Sequence, residues 1–302
     1  MKGFADRTKI RFNRHFNCII GKHGSGKTTL INLIRKSCDS SITEPDGSIN
    51  LFVEKVKDGK SQYYCFWRGR KMQDFKVFEL DLEKGISKEL PKSMLDKLSI
   101  KPKTYKDERI EEIIANPRNL FGFIEKRFQS GSRKDLAKVF NSFYEKQRFL
   151  SSKKKEILKL EESSQGMRLY ITIDGKEREF FTLDKGMKKA VIMLILLCSE
   201  KFGPVIIDSP ESYLDNEGIF DFIVPRIREV KDLQQLILLT GNPNIAVSGD
   251  PENIIVLEGK VNRIKKVLTG CSIERKEIKG DVIRILEGGM RAFTSRKIKY
   301  EG

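Results

Sequence analysis

The sequence has few of the residues that build metal centres and disulfide frameworks. It contains only two histidines and no CxxC pair. Its five cysteines are scattered along the chain, at Cys18, Cys38, Cys65, Cys198 and Cys271. This distribution argues against a zinc site or a disulfide framework and suits a reducing cytoplasm.

Long hydrophobic segments are missing as well. No apolar run approaches the roughly 20 residues that cross a bilayer. The opening MKGFADRTKI lacks the apolar segment of a signal peptide. We therefore expect a soluble, cytoplasmic protein that does not enter a membrane. The 302 residues, 39% of them hydrophobic, suffice for one large α/β domain with an inserted lobe, or for two modest domains.

Positive charge is the most unusual bulk property, with a formal net charge of +16. A field of this sign attracts polyanions, nucleic acid above all. Two basic clusters are candidates for a groove that holds a phosphate backbone. They comprise Arg148, Lys153, Lys154 and Lys155 in one segment and Arg291, Arg296, Lys297 and Lys299 near the C-terminus. The alternative is a solvated, solubilising surface, and no recognised DNA-reading module or aromatic-rich RNA motif is present.

Hydrophobic patterning predicts strands and helices in a distinct order. Strands are expected at 8–12 and 16–21, a helix from 26 to about 38, and an antiparallel meander at 50–56, 61–67 and 75–82. Residues 88–164 are mostly helical and highly charged in pattern, without a sustained heptad seam. A hairpin at 168–183 is followed by a buried helix at 188–202, a strand at 204–208, a helix at 216–230, strands at 233–240 and 253–259, and a basic helix. Strands that alternate with helices indicate a largely parallel sheet covered on both faces.

A phosphate-binding loop is the clearest motif. It reads Gly21-Lys22-His23-Gly24-Ser25-Gly26-Lys27-Thr28, followed by Thr29, and satisfies GxxxxGK[ST] between a predicted strand and helix. Glycines let the backbone N–H groups surround phosphate, and the helix N-terminus adds its positive dipole end. We expect Lys27 to reach the β- and γ-phosphates of a nucleotide and the Thr28 hydroxyl to ligate Mg²⁺.

A second magnesium ligand is expected at the end of a neighbouring strand. The run GPVIIDSPESYLDN leads through apolar residues to Asp208, which can hold the ion directly or through water. The alternative for Asp208 is a simple cap at the strand end.

Several stretches resemble ABC-type ATPase heads of the SMC/RecF class. FNCIIGKHGSGKTTLINLI is similar to their Walker A motif, and IIDSPESYLDN, with its Leu214-Asp215 step, looks like their Walker B and D-loop. LLTGNPNIAVSGDPENIIVLEG and IRILEGGMRAFTSRKIKY resemble the end of TrlF-type AAA-like ATPases and related phage-defence ATPases. The resemblance covers the first 40 residues and most of 181–300.

The resemblance implies an α/β P-loop NTPase of ABC-ATPase type. Its sheet would be mixed and largely parallel, with an antiparallel β meander and an inserted helical lobe. The expected parts are 1–87 (Walker A and meander), 88–165 (helical lobe) and 166–302 (signature-like loop, Walker B, D-loop and basic C-terminal helix).

In that class two heads sandwich ATP, and each offers a signature loop to the nucleotide that the other holds. The matching stretch here is Leu183-Asp184-Lys185-Gly186-Met187-Lys188, where Asp184 stands in the usual place of serine. Its candidate contacts with nucleotide are Asp184, Lys185 and Gly186, together with Asp215 of the D-loop. A carboxylate at this position would repel phosphate unless a neighbouring lysine screens it. A simple turn between strand and helix is the alternative.

Two further departures from the family pattern concern hydrolysis. Ser209 stands where a glutamate usually follows the Walker B aspartate, and Gly241 replaces the switch histidine. Glu211 is the nearest carboxylate and a candidate general base, or equally a helix-capping or D-loop support residue. Both departures point to slow hydrolysis or none. The Q-loop glutamine stays open among Gln62, Gln73 and Gln129.

The resulting expectation is a head that binds Mg-ATP, forms a homodimer around two nucleotides and controls a nucleic-acid-linked assembly, with DNA favoured. Because TrlF-type chains carry a PHP domain that is not found here, we expect a separate nuclease or other effector as partner. Phage defence is the setting that the resemblance implies. The alternative is a nucleotide-locked structural subunit that scaffolds a partner enzyme. A P-loop kinase fits less well because the signature-like and D-loop segments would have no role in it.

Overall fold

The computed structural model describes residues 9–38, 49–57, 60–68, 75–91, 94, 103–150, 157–173, 175–197, 204–260 and 263–301. The strands in these ranges are β1 (Phe16–Ile20), β2 (Ile49–Lys57), β3 (Lys60–Arg68), β4 (Phe75–Asp81), β5 (Ile86–Leu90), β6 (Lys103–Tyr105), β7 (Ile157–Ser163), β8 (Gly166–Ile173), β9 (Lys176–Glu179), β10 (Val205–Asp208), β11 (Leu236–Leu239), β12 (Asn253–Lys260) and β13 (Arg263–Cys271).

The helices in these ranges follow in chain order. They are α1 (Lys27–Cys38), α2 (Asp107–Ala115), α3 (Pro117–Phe128), α4 (Arg133–Leu150), α5 (Lys185–Leu197), α6, α7 (Lys276–Leu286) and α8 (Met290–Glu301). Helix α6 consists of Asn216–Gly218, a π-helical turn Ile219–Ile223, and Val224–Val230.

The main sheet has the strand order β13-β12-β1-β11-β10-β6. Five of these strands are parallel, and β13 pairs antiparallel with β12 at one edge. The central strands FNCII, VIID and LILL are almost continuously apolar, as strands buried on both faces require. The predicted α/β fold with a largely parallel sheet is therefore confirmed.

Alternation along the strands divides the interior into two cores. Along β1, Cys18 and Ile20 belong to the larger core, which also contains α5, whereas Ile19 belongs to the smaller one. Because successive strand side chains point to opposite faces, each central strand serves both cores. The smaller core receives its helical side chains from α1, namely Leu30, Ile31 and Ile34. Residues of the phosphate loop are thus anchored between β1 and a helix that packs on the sheet.

Two smaller antiparallel sheets flank the main one. The predicted meander is confirmed as β2-β3-β4 and gains a fourth strand, β5. It has its own small core and lies against α1. The predicted hairpin is confirmed as β8 and β9, with Gly175 at a φ of +75° in the turn, and β7 extends it to three strands. Asn141 of α4 binds both backbone groups of Leu160, at 2.9 and 3.1 Å, and so joins β7 to the helices.

One predicted element was wrong within the described residues, and some strands were not predicted. Residues 9–12 form no strand, because side chains satisfy the neighbouring backbone: Asn253 Nδ2 donates to Arg11 O at 3.0 Å and Asn13 N donates to Asn17 Oδ1 at 2.6 Å. The described part of 88–164 is mostly helical, as predicted, with α2, α3 and α4. It also contains the strands β6 and β7, which were not predicted and whose conformation is decided by pairing with β10 and β8. Strand β13 was not predicted. The division into 1–87, 88–165 and 166–302 stays a prediction.

None of the helices in the described ranges combines the length and the apolarity that crossing a bilayer requires.

Candidate nucleotide-binding site

The strands β1, β11, β10 and β6 are parallel, so their carboxyl ends lie side by side at one end of the sheet, which we call the carboxyl edge. The phosphate loop begins there, directly after β1. Gly24 and Gly26 have φ values of +73° and +95°, which L-residues with side chains rarely adopt. A Cβ on Gly21 would come within 2.4 Å of Ser25 Oγ and 2.7 Å of Leu257 O. The loop is therefore wrapped as tightly as phosphate binding by backbone N–H groups requires.

Lys27 bends back over this loop. Its Nζ donates to Gly21 O at 2.5 Å and to Lys22 O at 3.3 Å. Burial lowers the pKa of Lys27 below the usual 10.5, although the nearby carboxylates Asp208 and Glu211 act in the opposite direction. The ammonium group thus lies in a partly desolvated position where an anionic ligand would bind it strongly.

Thr28 and Asp208 meet at the predicted magnesium position. Thr28 Oγ1 donates to Asp208 Oδ2 at 3.1 Å. The strand topology corrects one expectation: β10 is not next to β1, because β11 lies between them. Asp208 still reaches the loop because α1, which starts with Lys27 and Thr28, crosses over the sheet towards β10.

The turn after Asp208 is tight and heavily bonded. Ser209 has a φ of +54°, its N–H donates to Leu239 O at 2.9 Å, and its hydroxyl donates to Asp208 Oδ1 at 3.2 Å. Lys189 of α5 is almost fully buried and donates from Nζ to Ser209 O at 3.1 Å. The sequence suggests Lys189 only as one of three lysines, with Lys185 and Lys188, that could screen Asp184, because a lysine near the start of a helix gives no sign of burial.

Glu211 joins the ends of β10 and β11. Its Oε2 accepts from Thr240 Oγ1 at 2.9 Å and its Oε1 accepts from Gly241 N at 2.7 Å. Burial raises the pKa of the Cys18 thiol in β1, and the nearby charge of Glu211 raises it further. These contacts favour the supporting role for Glu211, and its role as general base stays a prediction.

The signature-like loop leads directly into α5. Asp184 Oδ1 accepts from Met187 N at 2.9 Å, so this carboxylate caps the first turn of the helix. A Cβ on Gly186 would lie only 2.3 Å from Tyr213 O, which brings the loop against the D-loop segment. Asp184, which stands where the related heads usually have serine, therefore stabilises the start of α5.

Three side chains connect this loop to the helical segment and the D-loop. Lys185 Nζ lies 3.0 Å from Glu111 Oε1 of α2 and 3.9 Å from the centre of the Tyr213 ring. Hydrogen bonds from Tyr213 and Lys185 lower the pKa of the Glu111 carboxyl. Tyr213 has a φ of +68°, a conformation that is costly for a tyrosine. Neither Glu111 nor Tyr213 was singled out in the sequence, since their contacts join distant parts of the chain.

The D-loop and the end of β11 form a polar network. Asp215 Oδ1 accepts from Gly218 N at 2.6 Å and caps α6. Asn242 Nδ2 donates to Asn216 Oδ1 at 2.9 Å, and Asn242 N donates to Thr240 Oγ1 at 2.9 Å. The segment where the related heads have a switch histidine is thus held to the D-loop by amide side chains.

The candidate Q-loop glutamines are not brought together with this edge by any described contact. Gln62 is exposed on β3 and accepts from Tyr64 Oη at 3.3 Å, and Gln129 caps the end of α3 with a φ of 50°. Gln73 lies outside the described residues. A different residue, Lys106, follows β6 at the carboxyl edge, and its Nζ donates to Asn32 Oδ1 of α1 at 2.8 Å. Its signal in the sequence is weak, because the three-residue strand KTY has no hydrophobic run.

Of the two predicted basic clusters, the structure describes the side chains of only the C-terminal one. Lys153, Lys154 and Lys155 lie outside the described residues, as does the side chain of Arg148. The second cluster lies on α8, which is exposed along its described length. Arg296 pairs there with Glu287, and Lys297 Nζ lies 3.6 Å from Glu301 Oε1.

The residues present fit a magnesium nucleotide. Ser25 Oγ is buried in the loop and has no hydrogen-bond partner among the described residues. Within the same ranges, no three histidine, cysteine, aspartate or glutamate side chains are grouped as a protein-only metal site. Thr28 and Asp208 supply two adjacent oxygens, which suits Mg²⁺ because this ion usually takes few protein ligands and completes its shell with phosphate and water.

Comparisons with solved structures show the same architecture. The chain is similar to the SMC head domain from Thermotoga maritima, at 15% identity and a TM-score of 0.55, over 86% of this chain and 91% of that one. It is similar to an SMC head bound to the C-winged helix domain of ScpA, at 15% identity and a TM-score of 0.64, over 87% and 92%. A third match is the Smc head domain with an extended coiled coil, bound to the C-terminal domain of ScpA and derived from Pyrococcus furiosus, at 13% identity and a TM-score of 0.51, over 90% and 94%. No curated protein matches in sequence.

The chain shares the fold of SMC heads and carries a phosphate loop at the carboxyl ends of its parallel strands, as the resemblance in the sequence implied. Residues 1–236 match the family AAA_23, described as an AAA domain, and the chain belongs to this family. Nucleotide binding is the property that membership implies. The closer kinship with TrlF-type ATPases stays a prediction.

Proposed function

We propose that the chain binds Mg-ATP at the carboxyl edge of the main sheet and that two copies enclose two nucleotides between them. The observation that carries the proposal is the meeting of the phosphate loop with Asp208, where Thr28 Oγ1 and Asp208 Oδ2 are 3.1 Å apart. Bound Mg²⁺ would neutralise phosphate charge and orient the phosphates. Thr28 and Asp208 would hold the ion, and Lys27 would leave its backbone acceptors for the β- and γ-phosphates.

The second half of each site would come from the partner copy. Lys185 and Gly186 lie at the N-terminus of α5, a position suited to an anion. Since Asp184 uses its carboxylate to cap this helix, Lys185 is the side chain that would contact the phosphate held by the other copy. Asp215 and the D-loop would line the same contact.

Turnover would be slow, and binding better preserved than hydrolysis. Ser209, in the usual place of the catalytic glutamate, carries no group that accepts a proton from water near neutral pH. Both oxygens of Glu211 already accept hydrogen bonds from Thr240 and Gly241. This observation also favours the second candidate function, a nucleotide-locked subunit that scaffolds a partner enzyme.

Partner proteins and nucleic acid belong to the same proposal. Two of the similar SMC heads are bound to domains of ScpA, so a head of this fold offers a surface to a second protein. We propose a separate effector, a nuclease in a phage-defence setting, that responds to the nucleotide state. The net charge of +16 and the exposed basic helix α8 support contact with DNA.

The test measures molar mass by light scattering and phosphate release, with ATP, ADP or no nucleotide. Wild type should become dimeric with ATP, and Lys27→Ala should remain monomeric and release no phosphate. Glu211→Gln should dimerise as well as wild type, and it should lose turnover only if Glu211 is the base. Lys126→Ala, which removes an exposed lysine of α3, is the matched control and should behave like wild type.

Distinct results separate the candidates. A wild-type mass that ATP leaves unchanged would contradict the nucleotide-dependent dimer. ATP-dependent dimers without phosphate release, in wild type and Glu211→Gln alike, would favour the nucleotide-locked subunit. Turnover that survives in Lys27→Ala would remove the phosphate loop from the mechanism.

A further inference from the structure

We propose that the ion pair between Glu111 and Lys185 is autoinhibitory: it holds the lysine of the signature-like loop away from the nucleotide of a partner copy until a phosphate replaces Glu111. This inference rests on the proposed function, in which Lys185 contacts phosphate across the dimer, and it adds the regulation of that contact. It depends on the geometry of the pair, on its exposure and on the way Tyr213 holds Glu111.

Lys185 already has a negative partner within its own chain. Its Nζ lies 3.0 Å from Glu111 Oε1 and 3.9 Å from the centre of the Tyr213 ring. The hydrogen bond to Glu111 raises the pKa of Lys185, and hydrogen bonds from Tyr213 and Lys185 lower the pKa of Glu111. Both groups of the pair therefore stay charged near neutral pH.

One ammonium group cannot serve two anions equally well. Lys185 is the first residue of α5, and Glu111 lies on α2, which packs against α5. A phosphate bound to Lys185 while Glu111 stayed in place would bring two anions to about 5 Å from each other, where like charges repel. The carboxylate and the partner's phosphate therefore compete for Lys185.

The exposure of the pair allows it to open. The side chains of Lys185 and Glu111 retain 49% and 40% of their accessible surface. Water and salt screen such a pair, so its net contribution to stability is small. A nucleotide phosphate carries more charge than a carboxylate and can therefore replace Glu111, whereas a fully buried pair would resist the exchange.

Tyr213 keeps Glu111 stable once the lysine has left. Its hydroxyl donates a hydrogen bond to the Glu111 carboxylate. Its backbone is closely packed, because a Cβ on Gly186 would lie 2.3 Å from Tyr213 O. Beneath the ring, the buried Lys189 has its Nζ 5.4 Å from the ring centre. After the hydrogen bonds from Tyr213 and Lys185, the charge of Lys189 is a further cause that lowers the pKa of Glu111. The exchange thus leaves no uncompensated carboxylate.

An inhibitory and a supporting role of the pair predict opposite effects of a neutral side chain at Glu111. If the carboxylate only positioned Lys185 for phosphate, Glu111→Gln would weaken the dimer. If the pair is inhibitory, the same change releases Lys185 and strengthens the dimer. The sign of the effect therefore decides between the two roles.

The experiment measures the dimer Kd by sedimentation with saturating Mg²⁺ and ATPγS. Glu111→Gln, which keeps the size of the side chain, should lower this Kd about tenfold, because two pairs open per dimer and each exposed ion pair changes an equilibrium constant by up to about fivefold. The matched control is Glu112→Gln, which removes the same charge from the next residue of α2, an exposed glutamate, and should leave the Kd unchanged.

A double variant tests whether the effect passes through Lys185. Lys185→Gln alone should weaken the dimer, because both phosphate contacts are lost. In that background, Glu111→Gln should strengthen the dimer by less than about threefold, since no ammonium group is left to release. Unfolding followed by circular dichroism shows whether each variant keeps its fold. If Glu111→Gln is less stable, Glu111→Ala, with a strong helix former at the same position, takes its place.

The outcomes separate this inference from the proposed function. A dimer Kd that rises or stays the same in Glu111→Gln would overturn the inhibitory role while the nucleotide-dependent dimer stood. An equal gain with and without Lys185 would overturn it as well. A dimer in Glu111→Gln but not in wild type would support strong inhibition. If neither protein forms a dimer with ATPγS, both proposals are overturned.

Discussion

Replacement of Gly186 by alanine tests the packing of the signature-like loop against the D-loop. A Cβ at this position would lie 2.3 Å from Tyr213 O and 3.2 Å from Asp184 Oδ1. The carbonyl of Tyr213 cannot retreat cheaply, because the flanking turn is closed by Ser212 N to Ser209 O at 3.1 Å and Leu214 N to Glu211 O at 3.1 Å. The substitution must therefore separate two backbone segments or distort them.

The expected magnitude combines two opposing effects. Alanine in place of glycine in a helix gains up to about 1 kcal/mol. Overpacking against well-ordered neighbours costs about 1–3 kcal/mol, and a backbone carbonyl lies at the expensive end. We expect Gly186→Ala to lower the free energy of unfolding by roughly 1–2 kcal/mol, since the steric term exceeds the helical gain.

Urea unfolding of nucleotide-free protein measures this difference, with Gly122→Ala as the matched control. Gly122 lies inside α3, and a Cβ there would meet no atom within 4 Å. The control should therefore gain about 0.5–1 kcal/mol. If Gly186→Ala were as stable as Gly122→Ala, the close contact between the signature-like loop and Tyr213 O would be wrong.

Three further predictions concern the metal, the loop lysine and the basic helix. Thr28→Ala and Asp208→Asn each remove one proposed Mg²⁺ ligand, so about tenfold more Mg²⁺ should be needed for half-maximal ATP binding in a magnesium titration. Burial lowers the pKa of Lys27 below 10.5, so its charge costs stability at pH values below the folded-state pKa, and this cost disappears as the pH rises through 10.5. Lys27→Met should therefore resist urea slightly better than wild type at pH 7, by a margin that shrinks towards pH 10.5, while nucleotide binding is lost. The double variant Arg291→Gln, Lys299→Gln should bind DNA more weakly, and the logarithmic salt slope of binding should fall by about one unit for each phosphate that the protein no longer neutralises.

Each of these predictions has a control and a contradicting result. Lys126→Gln should alter neither magnesium demand nor stability nor the salt slope. An unchanged magnesium requirement in Asp208→Asn would remove that residue from the ion site. A marked loss of stability in Lys27→Met would contradict the desolvation argument. DNA binding that ignores salt would eliminate the phosphate-backbone interface.

Sequence patterns best predicted the features that depend on residues adjacent in the chain. The phosphate loop, the apolar strands β1, β10 and β11 and the meander depend on neighbouring residues, and all were predicted. The edge strand β6 was not, since Lys103–Tyr105 has strand conformation only through pairing with β10. The Asp184 cap also escaped sequence reasoning, which considered only its repulsion of phosphate and not the amide of Met187.

The sequence by itself determined that this protein carries a phosphate loop followed by a helix, an aspartate at the end of a buried strand, and a parallel α/β architecture. These properties follow from local spacing and from the period of apolar residues. The tertiary structure decided which distant groups meet: β11 between the two motif strands, Glu211 on Thr240 and Gly241, Lys185 on Glu111, and Lys106 on Asn32. Such contacts join elements far apart in the chain, and the strand order that creates them has no local signature in the residues themselves.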